Sequence, residues 1–227
     1  NCMGLYCPRG GISWNEAFPR KPGPVGVFSQ SGQLASMFII EGKLEGLRFS
    51  KAVSFGNARD LKAHHYLQYL AQDDQTRVIA GYLEGLTDGR AFFQAARQVS
   101  RKKPLVIWKG GQTEGGSRVT RSHTAAIAGD QIIWNAMCRQ AGIVSVNSLP
   151  ELIYTVAALL KSGPAARNGV AILGGAGGGS VTMTDMAEKE GLRVPQLAAS
   201  TIDALQEMIP LQGHSVRNPL DASFHEE

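Results

Sequence analysis

The chain is poor in cysteine, in charge and in aromatic side chains, and it has no long apolar run. Its three cysteines, Cys2, Cys7 and Cys138, make an odd count without CxxC spacing. That excludes a disulfide framework and a cysteine-built zinc site, and it fits a reducing, cytoplasmic setting. No stretch approaches the roughly 20 apolar residues that cross a bilayer, and no secretory signal pattern opens the sequence. Charged residues make up 19% and hydrophobic ones 43%, which predicts a folded globular protein rather than a disordered one. The net charge of +4 is mild, and its one tight basic cluster, Arg101-Lys-Lys103, has no interleaved aromatics. A solvated helix end explains that cluster better than a nucleic-acid footprint does. Small anionic molecules remain as partners.

What is present is a repeated βα unit. Val25–Phe28 is a short apolar run, followed by Ser29-Gln-Ser-Gly32 and then by Leu34, Met37, Phe38, Ile40 and Leu44 at helical spacing. The same succession returns at Ala52-Val53, at Val78–Leu83, at Leu105–Trp108 and at Ile143–Val146, with helices predicted after each. Parallel strands require crossover connections, so the pattern predicts an α/β fold with a doubly wound parallel sheet. Residues 1–21 show no periodicity and read as a linker. The Pro- and Gly-containing stretch 162–168 reads as a boundary, after which a strand at Gly169–Leu173 opens a second α/β domain. That domain is expected to be incomplete, and the chain to be part of something longer.

In doubly wound sheets ligands bind beyond the carboxyl ends of the strands. Ser31, Asn57, Glu84 and His123 each follow a predicted strand and should converge on one edge. Free backbone N–H groups at the helix start after Ser29-Gln-Ser-Gly32 suit a phosphate, and the hydroxyls of Ser29 and Ser31 add donors. The bland alternative is a serine N-cap. Neither a Walker loop nor Gly-x-Ser-x-Gly is matched. Gly177, Gly178 and Gly179, in the turn Gly174–Gly179, form a second candidate anion site, although the spacing fails as a dinucleotide fingerprint. The long small-residue stretch Gly110–Asp130 carries His123 with Arg118 and Arg121 close by. Such loops are usually functional or disordered. Here the composition suits delivery of an imidazole, nucleophilic at neutral pH, that takes up a phosphoryl group. Glu84 is the carboxylate that can support its second nitrogen, or else a solvated strand end. His64, His65, His214 and His225 read as surface or structural residues.

Taken together the motifs resemble the NDP-forming acyl-CoA synthetases, a family that includes ADP-forming acetate–CoA ligase and, more distantly, succinyl-CoA synthetase. The match is carried, in order, by Ser29-Gln-Ser-Gly32, Gly56-Asn57 with Asp60, Tyr82-Leu-Glu-Gly85 and Lys109-Gly-Gly. It continues through Ser122-His-Thr124 with Ala128-Gly129, Gly174–Gly178 and Asn218-Pro-Leu-Asp221. The resemblance implies two flavodoxin-like (succinyl-CoA synthetase-like) domains, 22–162 and a truncated 163–227. It implies a phosphohistidine at His123 supported by Glu84, with phosphate held at Ser29, Ser31 and Gly32 and at Gly177–Gly179. It further implies CoA and Mg-ATP or Mg-GTP as substrates, a small carboxylic acid and phosphate as partners, an oligomer, and no prosthetic group or resident metal. The family's CoA-binding domain and nucleotide-binding ATP-grasp domain, fused or separate, lie outside this sequence, apart from a resemblance of Asn1-Cys-Met-Gly4 to the former's final turn. Many members read Ser-His-Thr-Gly after which this chain has Ala125 in place of the glycine. Two rivals stand beside this reading. One is a non-catalytic acyl-CoA-sensing module of a multidomain acetyltransferase. The other is a serine hydrolase using Ser31 and His123.

Overall fold

The computed structural model describes residues 2–113, 115–116, 130–162, 167–174, 177–209 and 215–222. The chain forms two compact units, Asn1–Pro164 and Ala165–Glu227.

In the first unit the strands are β1 (Gly4–Tyr6), β2 (Val25–Ser29), β3 (Phe49–Ser54), β4 (Val78–Leu83), β5 (Leu105–Lys109) and β6 (Ile143–Val146), in the spatial order β1-β3-β2-β4-β5-β6. β2 to β6 run parallel, and β1 is antiparallel to β3. Leaving β1 aside, the parallel strands follow the flavodoxin-like 2-1-3-4-5 order, whose topological switch lies between β2 and β4. The α-helices that pack on this sheet among the described residues are α1 (Gly32–Leu44), α2 (Ala63–Gln72), α3 (Gly89–Val99), α4 (Gln131–Ala141) and α5 (Leu149–Ser162).

Strands covered on both faces need apolar side chains on both, which is why β2, β4 and β5 read as continuous apolar runs. Val25, Val27, Val78, Ala80 and Val106 pack under α1 and α5 with Phe38, Ile39, Leu152 and Val156. Phe28, Ile79, Leu105 and Ile107 pack on the other face under α2, α3 and α4 with Leu67, Leu70, Phe92 and Trp134. No helix among the described residues is long and apolar enough to cross a membrane.

Residues 2–21, part of the stretch 1–21 that the sequence reads as a linker, pack against the sheet of the first unit. β1 pairs with β3, Tyr6 and Phe18 are buried in the core, and the Tyr6 hydroxyl donates to the Pro19 carbonyl. Tyr6, Trp14 and Phe18 meet edge to face, with Tyr6–Phe18 and Trp14–Phe18 centroids 5.0 Å apart. A three-residue strand is too short to show alternation, so the aromatic cluster rather than periodicity holds this segment.

In the second unit β7 (Leu173–Gly174) pairs parallel with β9 (Leu220–Asp221), and β8 (Ser215–Val216) pairs antiparallel with β9. Helices α6 (Gly177–Lys189) and α7 (Ala199–Met208) complete it. The strand predicted over Gly169–Leu173 is held partly by backbone pairing and partly by a side chain. Gly169 bridges in parallel to Arg193, the Val170 N–H donates to the Arg193 carbonyl at 2.9 Å, and the Ile172 carbonyl accepts from the Leu220 N–H at 2.8 Å. Asn218 Oδ1 accepts from the Ile172 N–H at 2.9 Å, and its Nδ2 donates to the Val170 and Pro195 carbonyls at 2.8 Å each.

Candidate functional site

The switch point is where the chemistry-bearing residues of the first unit gather. β2 ends at Ser29, which is 1% exposed; its Oγ donates to the Ser31 carbonyl at 2.6 Å and accepts from the Ser31 N–H at 3.1 Å. The Ser31 hydroxyl accepts from the Leu34 N–H at 3.2 Å, so it caps α1. Both hydroxyls thus build the turn, as the N-cap alternative requires. A Cβ at Gly32 would overlap the Met3 side chain, so the N-terminal segment lies against the first turn of α1.

Between the serines stands Gln30, 6% exposed. Its N–H donates to the Tyr82 carbonyl at 3.0 Å, and its Oε1 accepts from the N–H groups of Glu84 at 2.5 Å and Gly85 at 3.1 Å. Lys109, the last residue of β5 and 5% exposed, donates from Nζ to the Glu84 carbonyl at 2.9 Å and the Gly110 carbonyl at 2.6 Å. Burial pushes its ammonium pKa down, opposed by the Glu84 charge. The peptide groups of Glu84 are therefore held by side chains from β2 and β5 where the ladder ends.

The carboxylate itself has two unlike oxygens. The Tyr82 hydroxyl donates to Glu84 Oε1 at 3.5 Å. Burial, and then the Glu84 carboxylate, push that phenol up to about 12, so it is a neutral donor at any physiological pH. A Cβ at Gly110 would overlap the same hydroxyl, which makes glycine the residue that fits there. Glu84 Oε2 is buried and has no hydrogen-bond partner among the described residues. An unsatisfied buried polar atom costs about 1–3 kcal/mol, and more when charged. Such an atom is set for an incoming donor.

Ser29, Ser31, Gly32 and Glu84 are thus brought to one edge. His123 lies outside the described residues. Gly177, Gly178 and Gly179 open α6 in the second unit, exposed, with Gly177 beside the Asp221 carboxylate, 3.3 Å from where its Cβ would be. Behind them Ser180 is 5% exposed and its Oγ is unpartnered among the described residues. His65 serves a structural end, its Nδ1 accepting from the Lys62 N–H at 2.9 Å at the start of α2. Gln30 and Lys109 were absent from the sequence-derived site. Both lie in motifs that carry the family resemblance, and Lys109 is also a charge closing an apolar strand; neither pattern points to the backbone groups of Glu84.

Residues 22–159 match the family described as the succinyl-CoA ligase-like flavodoxin domain. The chain belongs to this family. Among relatives of the succinyl-CoA ligase-like chain, the alpha subunit of ADP-forming acetate–CoA ligase II from Pyrococcus furiosus is 35% identical over 221 residues, covering 97% of this chain and 48% of the relative. ADP-forming acetate–CoA ligase II from Archaeoglobus fulgidus is 37% identical over 203 residues, covering 88% of this chain and 30% of the relative. A solved structure of the dinucleotide-forming acetyl-coenzyme A synthetase 1 of Ca. Korarchaeum cryptofilum, in complex with phosphate and ADP, superposes with a TM-score of 0.89 at 30% identity. That superposition covers 98% of this chain and 48% of the synthetase chain. The chain therefore spans half or less of the length of the relatives that it matches.

Proposed function

We propose that the chain is part of an NDP-forming acyl-CoA synthetase, an acid–thiol ligase that interconverts acyl-CoA, NDP and phosphate with carboxylic acid, CoA and NTP. The observation that carries this reading is Glu84 Oε2, buried at the switch point of the sheet without a partner among the described residues. In the proposed step a neutral His123 imidazole attacks the phosphorus of an acyl phosphate. An N–P bond forms, the P–O bond to the acyl group breaks, and the carboxylate leaves with the electron pair. The other ring nitrogen keeps its proton and donates it in a hydrogen bond to Glu84 Oε2, which fixes the tautomer and offsets the positive charge that develops on the ring. The phosphoryl group then passes to NDP by attack of a terminal phosphate oxygen, which frees the imidazole.

The first turn of α1 supplies backbone N–H groups for phosphate in this scheme, and within the second unit the first turn of α6 offers groups of the same kind. Ser29 and Ser31 act mainly by shaping the α1 turn. The CoA-binding and ATP-grasp parts are supplied by further domains or by a separate subunit, in a reducing cytoplasm that suits three free cysteines. The names of the relatives, acetate–CoA ligases that form ADP, support this class of reaction. They do not fix the acid here.

The test is intact mass of the chain after incubation with acetyl phosphate. One acid-labile, base-stable phosphoryl adduct is expected, absent in His123→Ala. Glu84→Gln should slow its formation by on the order of 10²-fold, the size of effect expected of a group that supports developing charge. A folded chain that takes up no phosphoryl group, with acetyl phosphate or with Mg-NTP and an ATP-grasp partner, would sink the shuttle and leave the acyl-CoA-sensing reading.

A further inference from the structure

We infer that Gln30 and Lys109 are the positioning residues that fix Glu84, gripping its peptide groups from β2 on one side and β5 on the other. The inference rests on the reading of Glu84 as the carboxylate that supports the phosphorylated imidazole.

The geometry is specific. Past the end of β4 the chain leaves the ladder while Gly85 is still buried and Glu84 and Leu86 half-buried, before the turn reaches the surface at Thr87. The N–H groups of Glu84 and Gly85 would be orphaned there, and buried donors must find acceptors. One atom, Gln30 Oε1, takes both. The carbonyl of Glu84 faces the same problem, and Lys109 Nζ meets it while also holding the Gly110 carbonyl. Each grip spans two strands, so β2, β4 and β5 are tied together at the point where the carboxylate projects. The carboxylate has only the long Tyr82 contact on Oε1, and none on Oε2 among the described residues. Its aim therefore depends on where its backbone is held. A displacement of about 1 Å can cost on the order of 10² in rate when a group must meet a reacting partner. The glutamine is the better lever of the two, since it acts on the peptide through hydrogen bonds alone, without a charge of its own.

A double-mutant cycle on the full chain separates positioning from mere structural support. Phosphoryl uptake from acetyl phosphate is timed by intact mass for wild type, Gln30→Met, Glu84→Gln and the pair. Methionine keeps the length of glutamine but has no oxygen for the two N–H groups. Gln30→Met is expected to slow uptake about tenfold or more, and the pair to be no slower than Glu84→Gln alone. Gln30→Glu, which keeps an acceptor oxygen at the same reach, should restore uptake to within about threefold. Should Gln30→Met fail to fold, Lys109→Met runs the same cycle from the carbonyl side. Uptake at the wild-type rate in Gln30→Met, or slowing that multiplies with that of Glu84→Gln, overturns the inference while the role of Glu84 stands. Wild-type uptake in Glu84→Gln would instead remove the reading beneath it.

Discussion

Gly110 shows how a residue with no chemistry of its own sets the state of one that has it. Its lack of a Cβ leaves room for the Tyr82 hydroxyl, which faces Glu84 Oε1. In Gly110→Ala the phenol has to swing aside, and Oε1 joins Oε2 in having no donor among the described residues. Phosphoryl uptake from acetyl phosphate should then fall several-fold, while the urea midpoint moves little; equal uptake would show that the phenol is a bystander. The tyrosines also set the alkaline limit of the fold. Burial raises Tyr6 and Tyr82 from 10.0 to about 12. Between those values the unfolded chain has lost these protons and the folded chain has kept them. Stability therefore falls as pH rises from about 10 toward 12, and is fully present below 10. Urea titrations across that range should show the fall, and Tyr6→Phe and Tyr82→Phe should each make it shallower. An unchanged slope in both would mean that other groups carry it.

At the scale of the element, the turn between β2 and α1 carries two readings that one pair of substitutions separates. Ser31 caps the helix, and replacing a serine cap by alanine costs about 1 kcal/mol. Ser31→Ala should lower the urea midpoint accordingly. Ser31→Asp keeps the cap and places a negative charge at the first turn. It should hold the midpoint yet depress phosphoryl uptake, provided that turn receives phosphate; full uptake would reduce Ser31 to a cap. Elements of this kind were legible in the sequence because β2, β4 and β5, buried on both faces, show as unbroken apolar runs, and the helices after them show their spacing. Hydroxyl and acidic residues at strand ends then pointed to the right edge. The grip on Glu84 was not legible, because it consists of one amide reaching backbone groups 54 and 55 positions away. Nor was the role of residues 2–21, where Tyr6, Trp14 and Phe18 form a cluster with no period to announce it. Phe18→Ala would open that cluster, and a buried Phe→Ala change costs about 3–5 kcal/mol.

The whole molecule joins two units with very different interiors. The first has an extensive core on each face of a six-stranded sheet. The second gathers Ile209, Val216 and Ala222, with Ile202, Leu205 and Leu220 against them, as its one cluster among the described residues. Within the second unit Asn218, 5% exposed, acts as a polar staple, with three bonds to backbone groups of the segments that it joins. Asn218→Ala would leave the Ile172 N–H and the Val170 and Pro195 carbonyls without that partner, at about 1–3 kcal/mol for each that stays buried. Amide exchange in Asn218→Ala should therefore speed up throughout α6, α7 and β9 while β2, β4 and β5 keep wild-type protection, because local unfolding follows cooperative units. Were protection to drop equally in both units, the two would be one cooperative body and the staple a support for all of it. Were it to hold in both, the apolar cluster alone would suffice.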